Sequence, residues 1–161
     1  MHAQSYRRAH TLPTIEHLWV GLLLAGIVAA AGALPLAPWD FWWHAAVGRE
    51  IVTTGRIPQI DHFSYTAAGR PYHYQSWLSE VLLYAVLSVG GPAGAIWLRV
   101  GLLLLLFIIL LRVSAWASGG RLRVAAIACG VTAVGSATNW AIRPQLFALP
   151  LFAIEYALLW R

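Results

Sequence analysis

Four apolar runs punctuate the chain, Leu18 to Leu36, Ile96 to Val113, Val124 to Trp140 and Leu146 to Trp160. Each approaches the length of about 20 residues with which a helix crosses a bilayer, the last two at the short limit. A fifth run, "WLSEVLLYAVLSV" from Trp77 to Val89, differs in kind. At about 1.5 Å per residue it reaches about 20 Å, short of a hydrocarbon core of about 30 Å. Its polar positions Ser76, Glu80, Tyr84 and Ser88 recur every four residues and share one helical face, which predicts a helix lying in the membrane interface. Between the first run and this one, a helix is predicted from Asp40 to Thr54, ended by Gly55 as a left-handed cap and by Pro58, which blocks continuation. Residues 59–74 follow as an irregular connection with a Gly-Arg-Pro turn at Gly69 to Pro71. The predicted fold class is all-α integral membrane. It has about four transmembrane helices, with juxtamembrane interfacial helices in the first outer loop, 38–95, and forms a single membrane domain over 1–161.

Composition agrees with that pattern, since 60% of the 161 residues are hydrophobic and only 11% are charged, which excludes an ordinary soluble domain. Charge then orients it. All 11 basic residues are Arg, against six acids, and they sit at the ends of apolar runs rather than along one polar face, so no nucleic-acid partner is expected. If Trp77 to Val89 does not cross, then Arg7 and Arg8, the cluster Arg112, Arg121 and Arg123, and Arg161 all fall on one side. The positive-inside rule makes that side cytoplasmic, with both termini inside and the 38–95 loop outside. The first run is longer than the apolar core of a signal peptide and is expected to be an uncleaved anchor. The lone Cys129, inside an apolar run, is expected to be a small core residue.

Polar chemistry therefore belongs to the outer loop, which holds Asp40, Glu50, Asp61 and Glu80. Asp40 and His44 lie four apart and share a helical face, which makes Asp40 a candidate general base and His44 its orienting or proton-shuttling partner. Two other readings stand beside that one. Asp40 suits an N-terminal helix cap after "PW", and Asp40 with His44 can ligate a divalent metal together with Asp61, His62 or His73. Trp39, Phe41, Trp42 and Trp43 suit an interfacial aromatic belt, a sugar-stacking surface or a lipid contact. Arg99 and Arg143 sit at the outer ends of spans with no acid within four positions. Each calls for an anionic partner, which a phosphate satisfies through the planar guanidinium fork, or for snorkelling to the headgroups. Asp61, His62, Arg70, His73 and Glu80 complete the loop's candidate contacts for an acceptor.

Taken in order, an acid just after the first span, "GREIVTTGRIP", "DHFSYTAAGRPYHYQSW", an interfacial helix ending in "GG" and an Arg opening the next span resemble the N-terminal part of GT-C superfamily membrane glycosyltransferases. The branch is that of the protein mannosyltransferases and their bacterial relatives. "RPQLF" from Arg143 resembles a segment of bacterial members. The resemblance implies transfer of a sugar from a polyprenyl-phosphate donor to an acceptor hydroxyl at the outer face of a bacterial inner (plasma) membrane. It also implies Asp40 as the catalytic acid and Arg99 as the arginine opening the second span. The chain departs from the family at Phe41, where a paired acid is common, and at "YHYQSW", where Lys-Pro-Pro or His-Pro-Pro is usual. Family members have more spans, so the chain is expected to be the N-terminal portion of a larger module. The alternative from a different class is a non-catalytic lipid-binding or assembly protein, or an inactive fragment, in which the loop is only an anchored platform.

Overall fold

A computed structural model describes residues 15–36 and 40–160. Arg7, Arg8, Trp39 and Arg161 lie outside the described residues. Among the described residues the architecture is all-helical: α1 (Ile15–Ala33), α2 (Phe41–Thr54), α3 (Trp77–Ala117), α4 (Leu122–Ser136), a short 3-10 turn (Ala137–Asn139) and α5 (Pro144–Leu159). Two of these, α1 and α3, are long and apolar enough to cross a membrane. The helices α4 and α5, at 15 and 16 residues, each begin two residues before the apolar run they carry and end before that run does. The run from Val124 leaves its α-helix at Ser136 and reaches Trp140 through the 3-10 turn. The run from Leu18 ends its helix at Ala33, just before Pro35, which has no N–H to give.

The predicted Asp40 to Thr54 helix is α2, whose buried face repeats at Phe41, His44, Val47, Gly48 and Ile51, the spacing of one helical stripe. Gly55 closes it in the left-handed conformation at φ 67°, with its N–H on the Ile51 carbonyl. In the connection that follows, Ile60 and Pro71 meet in an isolated antiparallel bridge, and Asp61 N–H donates to the Arg70 carbonyl at 2.8 Å. Gly69, with φ 80°, makes the turn between them.

The helix α3 contains the predicted interfacial segment and the predicted second span in one 41-residue element, broken at Gly91 (φ 57°, ψ −158°) and followed by Pro92. Gly91 takes a conformation closed to other residues, and Pro92 has no N–H for the ladder, so the two arms, 77–90 and 92–117, run in different directions. The second arm, at about 1.5 Å per residue, exceeds a hydrocarbon core of about 30 Å.

The main core joins α1, the second arm of α3, α4 and α5. From α3 it takes Val100, Leu103, Phe107 and Leu111, at spacings of three and four, and from α4 the small residues Ala125, Ala126, Cys129 and Ala133. Small side chains let α4 approach its neighbours closely, and Cys129 is buried among them as the sequence led one to expect. A second cluster of Phe41, Leu83, Ala95 and Ile142 fastens α2 and the bend of α3 to the segment that leads into α5.

Candidate functional site

Asp40 occupies the N-cap position of α2, and its carbonyl accepts the His44 N–H at 2.9 Å, but its side chain makes no capping hydrogen bond. The carboxylate turns to Arg143, whose Nε lies 3.1 Å from Oδ2 and 3.3 Å from Oδ1. Arg143 is held extended (φ −139°, ψ 161°) by Pro144, which opens α5 and disfavours helical geometry in the residue before it. One turn into α2, His44 places Nε2 at 3.9 Å from Asp40 Oδ2, and Nδ1 at 2.8 Å from Glu80 Oε1. The structure thus brings Arg143, Asp40, His44 and Glu80 into one series.

Side-chain exposure falls steadily along it, from 48% at Arg143 and 35% at Asp40 to 11% at His44 and 2% at Glu80. One end meets the surroundings and the other is sealed. An ionised carboxylate can only accept, so with Glu80 ionised His44 carries its hydrogen on Nδ1 and turns Nε2 toward Asp40. The other Glu80 oxygen, Oε2, is buried with no hydrogen-bond partner among the described residues.

The close approach of α2 to α3 makes the His44–Glu80 contact, and Gly48 makes that approach. A Cβ built on Gly48 would stand 2.1 Å from the Glu80 carbonyl oxygen and 2.9 Å from Tyr84 Cβ. The polar stripe of Ser76, Glu80, Tyr84 and Ser88 therefore does not simply face water at an interface, since at Glu80 it faces α2. Gly48 carries no signal of its own in the sequence, where a lone glycine inside a helical stretch reads as a mild penalty.

The remaining predicted residues lie apart from this series. Arg99, 1% exposed, donates from Nη1 to the Pro35 carbonyl at 3.3 Å and from Nη2 to the Leu34 carbonyl, so it satisfies the backbone that leaves α1. Asp61 folds back on its own loop, its Oδ1 accepting the N–H groups of Phe63 and Ser64, each at 2.8 Å. Hydrogen bonding from Ser64, side chain and then N–H, together with the Phe63 N–H, holds the Asp61 carboxyl below its usual range. His62 pairs with Glu50 through Nδ1 at 2.7 Å, while Arg70 and His73 are exposed. Burial pushes the Tyr74 phenol up, and the neighbouring Asp61 charge adds to that.

The aromatic run divides its labour. Phe41 is fully buried, Trp42 is 55% exposed, and Trp43 packs against Tyr72 and Tyr74 with ring centroids 6.1 and 6.4 Å apart, tying the loop to α2. Among the described residues no three His, Cys, Asp or Glu side chains are grouped to hold a metal ion. The metal reading of Asp40 and His44 needed Asp61, His62 or His73, and Asp61 and His62 are committed to their own neighbours. An apolar groove of about 180 Å³ runs between α1 and α3, lined in part by Val28, Gly32, Trp97 and Val100, the last adjoining Arg99. Compared with known proteins, the chain matches no family model, no curated protein and no solved structure.

Proposed function

We propose that the protein is a membrane glycosyltransferase-like module that transfers a sugar from a polyprenyl-phosphate donor to an acceptor hydroxyl at the outer face. The observation that carries this reading is the Asp40 carboxylate, one third exposed, held by Arg143 and lying beside His44 instead of capping its helix. Asp40 takes the proton of the acceptor hydroxyl, and the acceptor oxygen attacks the anomeric carbon. The bond from that carbon to the phosphate oxygen breaks, and the polyprenyl phosphate leaves with the electron pair, inverting the anomeric centre. Arg143 engages Asp40 through Nε, which leaves its terminal amino groups for the departing phosphate. Arg99, spent on the carbonyls of Leu34 and Pro35, shapes the backbone that delivers Asp40, and the groove beside it suits the polyprenyl chain. His44, held by Glu80, keeps its ring turned to Asp40.

The topology that fits this chemistry has four spans and both termini cytoplasmic, in a bacterial inner membrane. It is supported by the break at Gly91, which separates an interfacial arm from a spanning one, and by Arg112, Arg121 and Arg123 near the far end of that spanning arm. Exposed apolar side chains such as Val131, Val134 and Phe152, at 71, 80 and 67%, support burial in lipid.

The test is transfer of labelled hexose from polyprenyl-phosphate donors to hydroxyl-bearing acceptors by the purified protein in proteoliposomes. Asp40→Asn, which keeps shape but loses the base, should lower turnover about 10²- to 10⁴-fold. Full activity in that variant, or no transfer from any donor of this class, would sink the proposal. The second reading, a non-catalytic lipid-binding or assembly protein, is favoured by another groove, between the ends of α3 and α5, which is lined by none of Arg143, Asp40, His44 or Glu80.

A further inference from the structure

The larger groove, about 380 Å³, lies between the last turns of α3 and of α5. Its walls are two helical stripes, Ile109, Arg112 and Trp116 on α3 facing Ile154, Leu158 and Trp160 on α5. Spacings of three and four set Ile109, Arg112 and Trp116 on one face of α3 and Ile154, Ala157 and Leu158 on one face of α5, with Trp160 at its C-cap, as in a packed helix pair. Here no side chain fills the middle, and Ala157 contributes only a methyl group to the wall. Trp116 and Trp160 meet edge to face at 5.6 Å at one end, and Tyr156 lies 5.8 Å from Trp160. This is the aromatic signature of the membrane–water boundary.

Arg112 is the one charged residue in the lining, it is exposed, and it has no acidic partner among the described residues. Farther along the chain, Arg121 and Arg123 are exposed too, and Arg123 stacks over Trp19 at 5.8 Å. Along the second arm of α3, Arg112 lies thirteen positions from Arg99, roughly 20 Å at the helical rise, so this groove opens at the opposite end of that arm from Asp40. A cation at the rim of an apolar trough, at aromatic-belt depth, matches one kind of molecule: an apolar tail carrying an anionic head.

We propose that the groove between α3 and α5 is a binding site for an anionic phospholipid, its acyl chain against Ile109, Ile154 and Leu158 and its phosphate on Arg112. The guanidinium fork takes two phosphate oxygens at once, and the surrounding arginines raise the local concentration of anionic lipid. This inference stands apart from the sugar-transfer chemistry and uses none of Arg143, Asp40, His44 or Glu80.

Native mass spectrometry of the full protein, with phosphatidylglycerol or phosphatidylcholine added to the micelle, tests it. Wild type should retain phosphatidylglycerol in preference to phosphatidylcholine. Arg112→Ala should weaken that retention about tenfold, the loss expected when a charged hydrogen-bond partner goes. Arg112→Lys should keep part of the retention, and Arg121→Ala should change it by no more than about twofold. A melting curve shows that each variant is folded, and Ala157→Phe, which fills the trough and leaves the charge, should lose retention while staying folded. Equal retention by wild type and Arg112→Ala, equal retention of the two lipids, preferred binding of polyprenyl phosphate over phosphatidylglycerol, or a second copy of the chain occupying the face would each overturn the proposal.

Discussion

At the scale of single residues, the site depends on an atom that is missing. Gly48 lets the α2 backbone lie against the Glu80 carbonyl, where a built Cβ would stand 2.1 Å away, and backbone cannot swing aside as a flexible side chain can. Gly48→Ala should therefore destabilise the protein by about 1–3 kcal/mol, the usual range for overpacking. Gly26→Ala on α1, with nothing within 4 Å of the new methyl group, should be neutral or mildly stabilising. Melting temperatures in one detergent compare the two, and equal effects would show that the close approach does not matter. The limits of sequence reading are also visible here. Asp40 and His44 share a face by spacing alone and could be paired on paper, but the partner of Asp40 is 103 positions away, and no local pattern joins it to Arg143. The Arg99 partners are backbone carbonyls, which every residue carries, so nothing in a string of side chains points to Leu34 and Pro35.

At the scale of elements, boundaries with a mechanism of their own were legible. Gly55 with Pro58 stops α2 where turn chemistry says it must, and the runs Trp77 to Val89 and Ile96 to Val113 were legible as distinct segments, though not their joining into one helix bent at Gly91. What a polar stripe faces was not legible. Spacing puts Ser76, Glu80 and Tyr84 on one side of a helix, but whether that side meets water or α2 depends on Gly48 in another helix. The bend itself is testable. Gly91, at φ 57° and ψ −158°, holds a backbone conformation that a Cβ disfavours by about 1–3 kcal/mol. Gly91→Ala should lower stability by that amount, while Gly90→Ala, whose new methyl group meets nothing within 4 Å, should not. Equal melting of the two variants would mean that the bend rests on Pro92 alone.

For the whole molecule, the proposed topology sorts exposed positions onto two sides. In a Cys129→Ala background, single cysteines at Tyr65 and Val89, which are 101% and 93% exposed, should react with an impermeant maleimide from outside intact cells. A cysteine at Ala117, at the end of α3, should react only after the membrane is opened. Val89 labelling with Ala117 instead of with Tyr65 would place a crossing before the bend and remove the four-span arrangement. The all-helical architecture followed from apolar run lengths, because in lipid every backbone group must be satisfied within its own helix. Which helices meet did not follow, since the small residues of α4 and the apolar faces of α1 and α3 have several partners open to them.

The two pairings of the site also differ in when they can form during synthesis. Glu80 follows His44 by 36 positions, and Arg143 follows Asp40 by 103. At an elongation rate of about 5–20 residues per second, Glu80 trails His44 by roughly 2 to 7 seconds and Arg143 trails Asp40 by roughly 5 to 20. Both residues of the sealed half are therefore synthesised first, while the ribosome is still building the helices that bring the arginine. During that interval the chain carries Asp40, His44 and Glu80 but not the arginine, an acid without its cation until α5 begins.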